Sequence, residues 1–540
     1  MFERIISFVL AATVTLGSGS SSLADLFGID SLVDQLQPQG DFVRFSQMEY
    51  VRPDMDALQA SFDAVCLASR ENTAREIMDA VYDFYDEYDW FYTYLSLADI
   101  HYSADLTDPY WEEEYTFCME NSDKVDALLE DLYYQLAKSP QLEELETYRY
   151  FGKDFFDDYQ GDNGWDADFL ALLEQETQLE NEYYTLSEEG LAYTSSRRYY
   201  DAMADDMAQL LVDLVRVRNE IAAYQGYDNY ADYAYDDDYY RDYTPEEMED
   251  YLADISTILV PVYRQVHETD VWSLASEPCG RDGVFQAVRE AAETMGGTVW
   301  EAFTLMEQAE LYDIDYDPNK YAASFEVFLT SYGEPYVFMN PDGTIYDILT
   351  FAHEFGHFAN DYASNGSYVG VDVLEFFSQG MEYLLLHYGT DTEDLTRLKL
   401  ADSLSTYIEQ AAYGSFEHRL YNLPEEQLNP QGLYDLYEQV SREYGFEAVG
   451  YDPREFVDIT HFYTNPMYVV SYIVSNDAAM QLYQLEAEEQ GSGLALMEEN
   501  LDTYQDWFLA FLEEAELESP FAPGRLEDVR RTFEEALLGA

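Results

Sequence analysis

Residues 350–357 constrain the fold of this chain more than any other segment, because they must share one helix. His353 and His357 are four residues apart, so on a helix they lie on one face, about one turn from each other. That spacing lets two ring nitrogens reach one zinc ion at about 2.0–2.1 Å. Glu354 lies beside them, where its carboxylate can take a proton from a zinc-bound water. The segment therefore predicts a zinc site and a general base.

Two features of the sequence argue against a chance match. The chain has only seven histidines in 540 residues, so two at this spacing around a glutamate are not expected from composition. The sequence at 340–344 also predicts a turn and a helix cap just before the motif. Apolar residues recur at helical spacing and predict a buried stripe beside the histidines, at Ile348, Ala352, Phe355 and Ala359.

The charge of the chain excludes two classes of partner. Aspartate and glutamate number 110 against 26 lysines and arginines, which gives a net charge of −84. Such a surface repels nucleic acids and anionic membranes, so neither is an expected partner. We interpret the acidity as a solvated surface, while adaptation to salt or to an extracytoplasmic setting stays open. At 540 residues, 47% of them hydrophobic, the chain exceeds what one core usually organises, and two lobes or more are expected.

The N-terminus predicts an export signal over residues 1–24. Arg4 precedes an apolar run, and a Ser-Leu-Ala sequence that ends at Ala24 resembles a signal peptidase site. The run is shorter than the roughly 20 apolar residues that span a bilayer, and no other segment approaches that length. We therefore expect a secreted or extracytoplasmic bacterial protein with no stable membrane insertion after the signal is removed.

Helical periodicity dominates the rest of the chain. Residues 25–186 have apolar residues at three- and four-residue spacing without clear strand alternation, and 197–223 predicts another long helix. The clearest strand patterns are at 324–330 and 336–339, around a turn. We predict a mainly α fold with a small sheet next to the zinc helix. An edge strand of that sheet can hold an extended peptide by its backbone.

A catalytic zinc needs a third protein ligand and an open position. Glu375 and Glu382 share one helical face with Ser378 and Gln379, amid apolar neighbours. Because a buried carboxylate without a partner is costly, one glutamate as zinc ligand and the other as acceptor for a ligating imidazole would satisfy both. The alternative is that both are ordinary solvated acids.

Further donors are predicted near the end of the chain. Tyr468 and Tyr472 are four residues apart at the start of an apolar helical pattern, and His461 precedes them. Phenol and imidazole donors near the metal can stabilise the oxyanion that forms when water attacks a peptide carbonyl. With 51 tyrosines in the chain, this spacing alone is not specific.

Together these segments resemble the thimet oligopeptidase and oligoendopeptidase F family of zinc metallopeptidases, and the chain is most similar to the bacterial oligoendopeptidase F-like branch. The similarity covers roughly residues 200–483. Its segments, in chain order, are Arg218-Asn219-Glu220-Ile221-Ala222 with Gly226-Tyr227, Asn340-Pro341-Asp342-Gly343-Thr344, the histidine motif, Glu375 with Glu382, and His461-Phe462 with Ser471-Tyr472. The resemblance implies a two-lobed helical metallopeptidase with a deep central channel. We predict an N-terminal helical lobe at 25–195 and a catalytic domain at 196–540.

The resemblance also implies a role for each site residue. The ligands of one Zn²⁺ per chain are His353, His357 and Glu375, with Glu354 as the general base. The stabilisers of the tetrahedral intermediate are His461 and Tyr472, with Tyr468 as their companion. The substrate-binding edge strand begins at Ala323, Ser324 and Phe325, where family members usually have glycines.

These predictions favour a secreted zinc oligopeptidase that hydrolyses internal bonds of short peptides. One alternative is a zinc carboxypeptidase or dipeptidase on a similar helical scaffold. The other is a non-catalytic peptide-binding protein, although such a protein has no physical need for the intact set of histidines and glutamates. The sequence leaves the oligomeric state open.

Overall fold

The structure is a computed structural model that describes residues 42–539, apart from 148, 158, 160–166, 191, 192, 194 and 368. The export signal predicted at 1–24 lies outside the described residues. Among the helices that are described, none is both long enough and apolar enough to cross a bilayer.

The N-terminal helices pack around a core of their own, formed by residues between Leu58 and Phe156. They are α1 (Met55–Glu71), α2 (Ala74–Ala104), α3 (Pro109–Ala137) and α4 (Leu142–Leu145). The next helix, α5 (Ala167–Gly190), packs instead against the helix at Ser196–Gln225, where Phe169 clusters with Val217 and Ile221. The sequence does not decide whether Cys66 and Cys118 form a disulfide. In the structure both are free thiols.

A second, larger core organises the rest of the chain. Its helices are α6 (Ser196–Gln225), α7 (Tyr230–Tyr233), α8 (Pro245–Ile258), α9 (Val260–Val266), α10 (Arg281–Met295), α11 (Gly297–Ala309), α12 (Tyr346–Ser364), α13 (Val371–Tyr388), α14 (Glu393–Tyr421), α15 (Pro430–Glu443), α16 (His461–Thr464), α17 (Ser471–Glu488), α18 (Ser492–Asn500), α19 (Phe508–Glu514) and α20 (Arg525–Phe533). Helix α2 reaches this core through Leu97 and Ile100, so one long helix belongs to both cores. The prediction of a mainly helical fold is confirmed.

Within the described residues, three strands form a small sheet that packs on α12. The strands are β1 (Tyr312–Asp313), β2 (Ser324–Leu329) and β3 (Glu334–Met339). Central β3 pairs with β1 in parallel and with β2 in antiparallel register, so β2 lies at an edge. Both predicted strands are found. Strand β1 escaped prediction because two residues are too few to show alternation.

Helix α12 begins differently from the prediction. The residue before it, Ile345, makes no side-chain cap bond. Instead, the Asp347 carboxylate accepts the backbone N–H groups of Asp342, Gly343 and Thr344 at 3.0, 2.7 and 2.9 Å. A side chain inside the first helical turn therefore holds the preceding turn in place.

Helices α12, α13 and α17 form a close-packed stack. A Cβ atom on Gly356 of α12 would lie 2.5 Å from Ser378 Cα and 2.6 Å from the Phe377 carbonyl oxygen, both in the backbone of α13. On the far side of α13, a Cβ atom on Gly380 would lie 2.8 Å from Leu482 Cδ1 of α17. The absence of side chains at these two positions thus allows the three helices to approach closely.

Candidate active site

Three predicted metal ligands converge where α12 meets α13. His353 and His357 come from α12 and Glu375 from α13, and one possible ligand atom of each lies within 4.8 Å of the others. His353 Nε2 is 3.5 Å from Glu375 Oε2, and the centroids of the two imidazole rings are 5.0 Å apart. Helical spacing and the close contact at Gly356 together produce this cluster.

The cluster fits a zinc ion. His353 Nε2 and His357 Nδ1 are buried without a hydrogen-bond partner among the described residues. Buried imidazole nitrogens of this kind are costly unless another group satisfies them. Two imidazoles and a carboxylate are a common set of three protein ligands at catalytic zinc sites, where the fourth position is left for water.

Behind His353 lies a chain of charged groups. His353 Nδ1 is 3.0 Å from Glu382 Oε1, and Lys399 Nζ of α14 is 2.8 Å from Glu382 Oε2. Glu382 and Lys399 are both buried. A carboxylate on Nδ1 fixes the ring and leaves Nε2 for a metal. Sequence reasoning missed Lys399, whose only signal is its place between Leu398 and Leu400 in an apolar stretch.

The electrostatics of the cluster favour a cation. Burial would lower the pKa of His353, but the bond to Glu382 and the charge of Glu375 raise it to about 9. Burial would raise the pKa of Glu382, but Lys399 and His353 hold it below its ordinary value. Burial also lowers the pKa of His357, so this imidazole is neutral. The carboxylates thus stabilise a positive charge on His353, and a bound metal ion would take the place of that proton, because a ligating imidazole is deprotonated.

Glu354 has the properties of a general base. It is 2% exposed, and burial raises its pKa to about 7, while the charge of His353 and a hydrogen bond with Ser324 act in the opposite direction. Its Oε1 atom is buried without a hydrogen-bond partner in the described part of the chain. A carboxyl group whose pKa lies near neutrality is suited to taking up and returning a proton.

His461, Tyr468 and Tyr472 cluster next to Glu375. The Tyr468 hydroxyl donates to Glu375 Oε1 at 3.5 Å, and the His461 ring lies 5.7 and 6.1 Å from the rings of Tyr468 and Tyr472. Burial lowers the pKa of His461 to about 4 and raises the pKa values of both phenols, so the three groups are neutral near pH 7. The Tyr472 hydroxyl has no hydrogen-bond partner among the described residues.

One prediction about this cluster is wrong. Tyr468 does not share a helix with Tyr472, because α17 begins at Ser471. Met467, just before Tyr468, has a φ of +67°, which no α-helix accommodates. The two tyrosine rings nevertheless lie 5.4 Å apart. Tertiary contacts, rather than helical periodicity, bring them together.

Arg218, from the first segment of the sequence resemblance, fixes the backbone next to His461. Its guanidinium is fully buried and donates to the carbonyl oxygens of Phe462 at 3.0 Å and Tyr463 at 2.5 Å. Glu176 of α5 accepts a further bond from it at 2.6 Å. Residues far apart in the sequence thus support the position of His461.

The start of β2 lies beside the site, and its three predicted substrate-binding residues are all buried. Ser324 lies within hydrogen-bonding distance of Glu354. The Phe325 ring stacks on Phe338 with centroids 4.8 Å apart and is part of the core. The Ala323 carbonyl accepts the Asn340 N–H at 3.0 Å. Of the three side chains, that of Ser324 is directed toward the candidate base.

Two family models match the chain. The Peptidase M3 N-terminal domain matches residues 45–163, and Peptidase family M3 matches residues 297–503. The second range contains the three candidate ligands, Glu354 and the cluster of His461, Tyr468 and Tyr472. An oligoendopeptidase F homolog of Borreliella burgdorferi is 30% identical over 172 residues, which are 28% of this chain and 29% of that protein. Oligopeptidase PepF of Bacillus subtilis is 27% identical over 201 residues, 34% of this chain and 30% of that protein. Each match thus spans less than a third of the curated relative.

Solved structures share the fold over most of its length. PZ peptidase A, solved with an inhibitor, superposes with a TM-score of 0.75 at 20% identity, over 92% of this chain and 99% of that one. A structure from Bacillus anthracis described as a candidate oligoendopeptidase F has a TM-score of 0.72 at 20% identity, over 93% and 99%. At these identities the comparison shows a common architecture.

Proposed function

Because the chain belongs to peptidase family M3, in its oligoendopeptidase F-like group, we propose that it is a zinc-dependent endopeptidase that hydrolyses internal bonds of short peptides. The observation that carries the proposal is the convergence of His353, His357 and Glu375, with Glu354 next to them. Two imidazoles, one carboxylate ligand and a carboxyl group of near-neutral pKa are what metal-assisted hydrolysis of an amide needs.

Each side chain has a role in the proposed reaction. Bound by His353, His357 and Glu375, zinc supplies the Lewis acidity that makes water a nucleophile near neutral pH. Glu354 accepts the proton of the attacking water and returns it to the leaving amine. Glu382, kept ionised by Lys399, holds the His353 ring in the orientation that presents Nε2.

The developing oxyanion is stabilised by neutral donors in this proposal. The hydroxyl of Tyr472 and the imidazole of His461 donate to the carbonyl oxygen as it gains charge, and Tyr468 assists from beside Glu375. Loss of one such donor typically lowers kcat by about 10²- to 10³-fold. Because burial keeps both phenols protonated, they remain donors over the whole range in which Glu354 can act as a base.

The proposed substrate is an extended peptide that pairs with the edge strand β2 and lies across the metal ligands. The two-lobed channel implied by the resemblance supports a preference for short peptides over folded proteins. The segment at 1–24 supports a secreted or extracytoplasmic location, and the net charge of −84 argues against nucleic acid as a partner.

A fluorogenic peptide blocked at both ends tests the proposal. We expect cleavage at an internal bond, loss of cleavage with a zinc chelator, recovery when zinc is restored, and one zinc per chain by elemental analysis. A protein without zinc and without chelator-sensitive cleavage would refute the proposal. Cleavage only of peptides with a free terminus would identify a carboxypeptidase or dipeptidase, and peptide binding without turnover would identify a non-catalytic protein.

A further inference from the structure

The loop at 465–470, between α16 and α17, contains a residue in an unfavourable backbone conformation. Met467 has a φ of +67°, in the left-handed region that residues other than glycine, asparagine and aspartate rarely adopt. Its side chain is fully buried, so this conformation occurs within the packed interior and not in an exposed turn. A residue of this kind persists only where its surroundings determine its geometry.

Two buried ionisable side chains hold Met467 by its backbone. An oxygen of the Glu417 carboxyl group in α14 accepts the Met467 N–H at 2.9 Å, and Arg241 Nη1 donates to the Met467 carbonyl at 3.0 Å. Arg241 Nη2 donates to Ser471 Oγ at 2.7 Å, at the first residue of α17. Arg241 therefore contacts the loop on both sides of Tyr468.

Arg241 also reaches the helix that supplies Glu375. Its Nε atom is 3.6 Å from Asp372 Oδ2, and Asp372 lies three residues before Glu375 in α13. Residues at this spacing share one face of the helix. One guanidinium thus joins the loop that carries Tyr468 to the helix that carries the third candidate ligand.

Aromatic rings pack against the Arg241 guanidinium. Its central carbon lies 4.5 Å from the ring centroid of Tyr235 and 4.4 Å from that of Tyr239. The Tyr239 hydroxyl donates to the Pro466 carbonyl at 2.9 Å, and the Tyr239 ring meets the Tyr468 ring edge-on at 6.0 Å. Stacking of this kind is a property of arginine that lysine does not reproduce.

We propose that Arg241 is a positioning residue, which fixes the loop bearing Tyr468 and the start of α17 bearing Tyr472 at a set distance from Glu375. It keeps the phenol donors aimed at the carbonyl oxygen of the reacting peptide bond. The inference rests on the proposed function, because the phenols have this task only in peptide hydrolysis. Arg241 itself does not touch the reacting atoms.

The variant Arg241→Met tests the inference, since methionine has comparable length and no guanidinium. For a doubly blocked fluorogenic peptide, we expect kcat to fall about 10- to 100-fold with little change in KM, because donors misplaced by about 1 Å lose this much. Zinc content should stay at the wild-type value. Affinity for a phosphinic peptide, which mimics the tetrahedral intermediate, should fall by the same factor as kcat/KM.

Arg525→Met is the matched control. Arg525 is as buried as Arg241 and pairs with Asp477 of α17 at 2.7 Å, and its side-chain bonds go to Asp477 and Gln484. We expect this control to lower the melting temperature and to leave kcat within about twofold, because these bonds reach neither the loop at 465–470 nor α13, and sites without shared partners act independently. If Arg241→Met lowers kcat or phosphinic affinity no more than Arg525→Met does, the inference is wrong.

A milder variant keeps the test decisive if Arg241→Met does not fold. Ser471→Ala combined with Tyr239→Phe removes two of the bonds that fix the loop, at Ser471 Oγ and the Pro466 carbonyl. We expect a several-fold fall in kcat at constant zinc content, and an unchanged kcat would refute the inference. These outcomes are distinct from a failure of the proposed function itself. In that case the wild-type protein would already lack chelator-sensitive cleavage.

Discussion

Replacement of Lys399 by methionine separates support of the metal site from support of the fold. The Lys399 ammonium and the Glu382 carboxylate are buried and 2.8 Å apart. Removing one partner of a buried ion pair costs about 3–5 kcal/mol where the other charge is left uncompensated, and the His353 imidazolium, 3.0 Å from Glu382, offsets part of that cost in the metal-free protein. Glu382 can relieve part of this cost by taking up a proton, since Lys399 is a main reason why its pKa lies below the ordinary value.

Removal of Lys399 also affects the metal site, because Glu382 is hydrogen-bonded to the candidate ligand His353. A protonated Glu382 is a poorer acceptor for His353 Nδ1, which now lies 3.0 Å from it. Loss of such an outer partner weakens metal affinity about 10- to 100-fold, which is about 1.4–2.7 kcal/mol of binding free energy. We therefore expect Lys399→Met to raise the zinc Kd by this factor, measured by competition with a chromogenic chelator, and to lower the melting temperature of the metal-free protein.

Lys320→Met is the matched control for this experiment. Lys320 is also buried, and its ammonium lies 2.9 Å from both the Asp313 carboxylate and the Met339 carbonyl, within the sheet region. It should lose comparable stability and keep wild-type zinc affinity. If both variants bind zinc as the wild type does, Lys399 is only a buried ion-pair partner, and the reasoning about Glu382 is refuted.

Three further predictions follow from single side chains. Glu354→Gln should retain zinc and lower kcat by at least about 10²- to 10⁴-fold, because the amide cannot accept the proton of water, and normal turnover would remove Glu354 as the base. Burial raises the pKa of Glu417 from the ordinary 4.5 to about 8, so between these pH values the folded chain holds a proton that the unfolded chain lacks, and stability falls as pH rises. The melting temperature of Glu417→Gln should therefore rise relative to that of the wild type as the pH increases from 4.5 toward 8. A difference in melting temperature that does not change with pH would contradict this. Ala323→Gly should lower KM for a blocked peptide at constant kcat, because it removes a methyl group where β2 begins, and an unchanged KM would contradict this.

Local pattern was enough to predict the parts of the site that lie on single helices. His353, Glu354 and His357 follow from a spacing of four residues, and Glu375 with Glu382 from one apolar helix face. The structure brings these groups together as the pattern predicts, because α12 and α13 are regular helices throughout.

The remainder depends on contacts between segments that are distant in the sequence. Arg241 and Glu417 hold Met467 in a left-handed conformation, and this tertiary restraint overrides the helical period that placed Tyr468 in α17. Lys399 reaches Glu382 from another helix, so neither residue's sequence neighbours indicate the pair. Such residues could be found only after the packing of the helices is known.

Gly356 determines how the candidate site would respond to substitution. A side chain there would meet backbone atoms of Ser378 and Phe377, which cannot rotate away as a side chain can. At this point the separation of α12 and α13 is therefore set by contact with the backbone of α13. Any larger residue would translate one helix as a unit, and the histidines would move away from Glu375 and Glu382 together. The geometry of the candidate site would then be lost in one step.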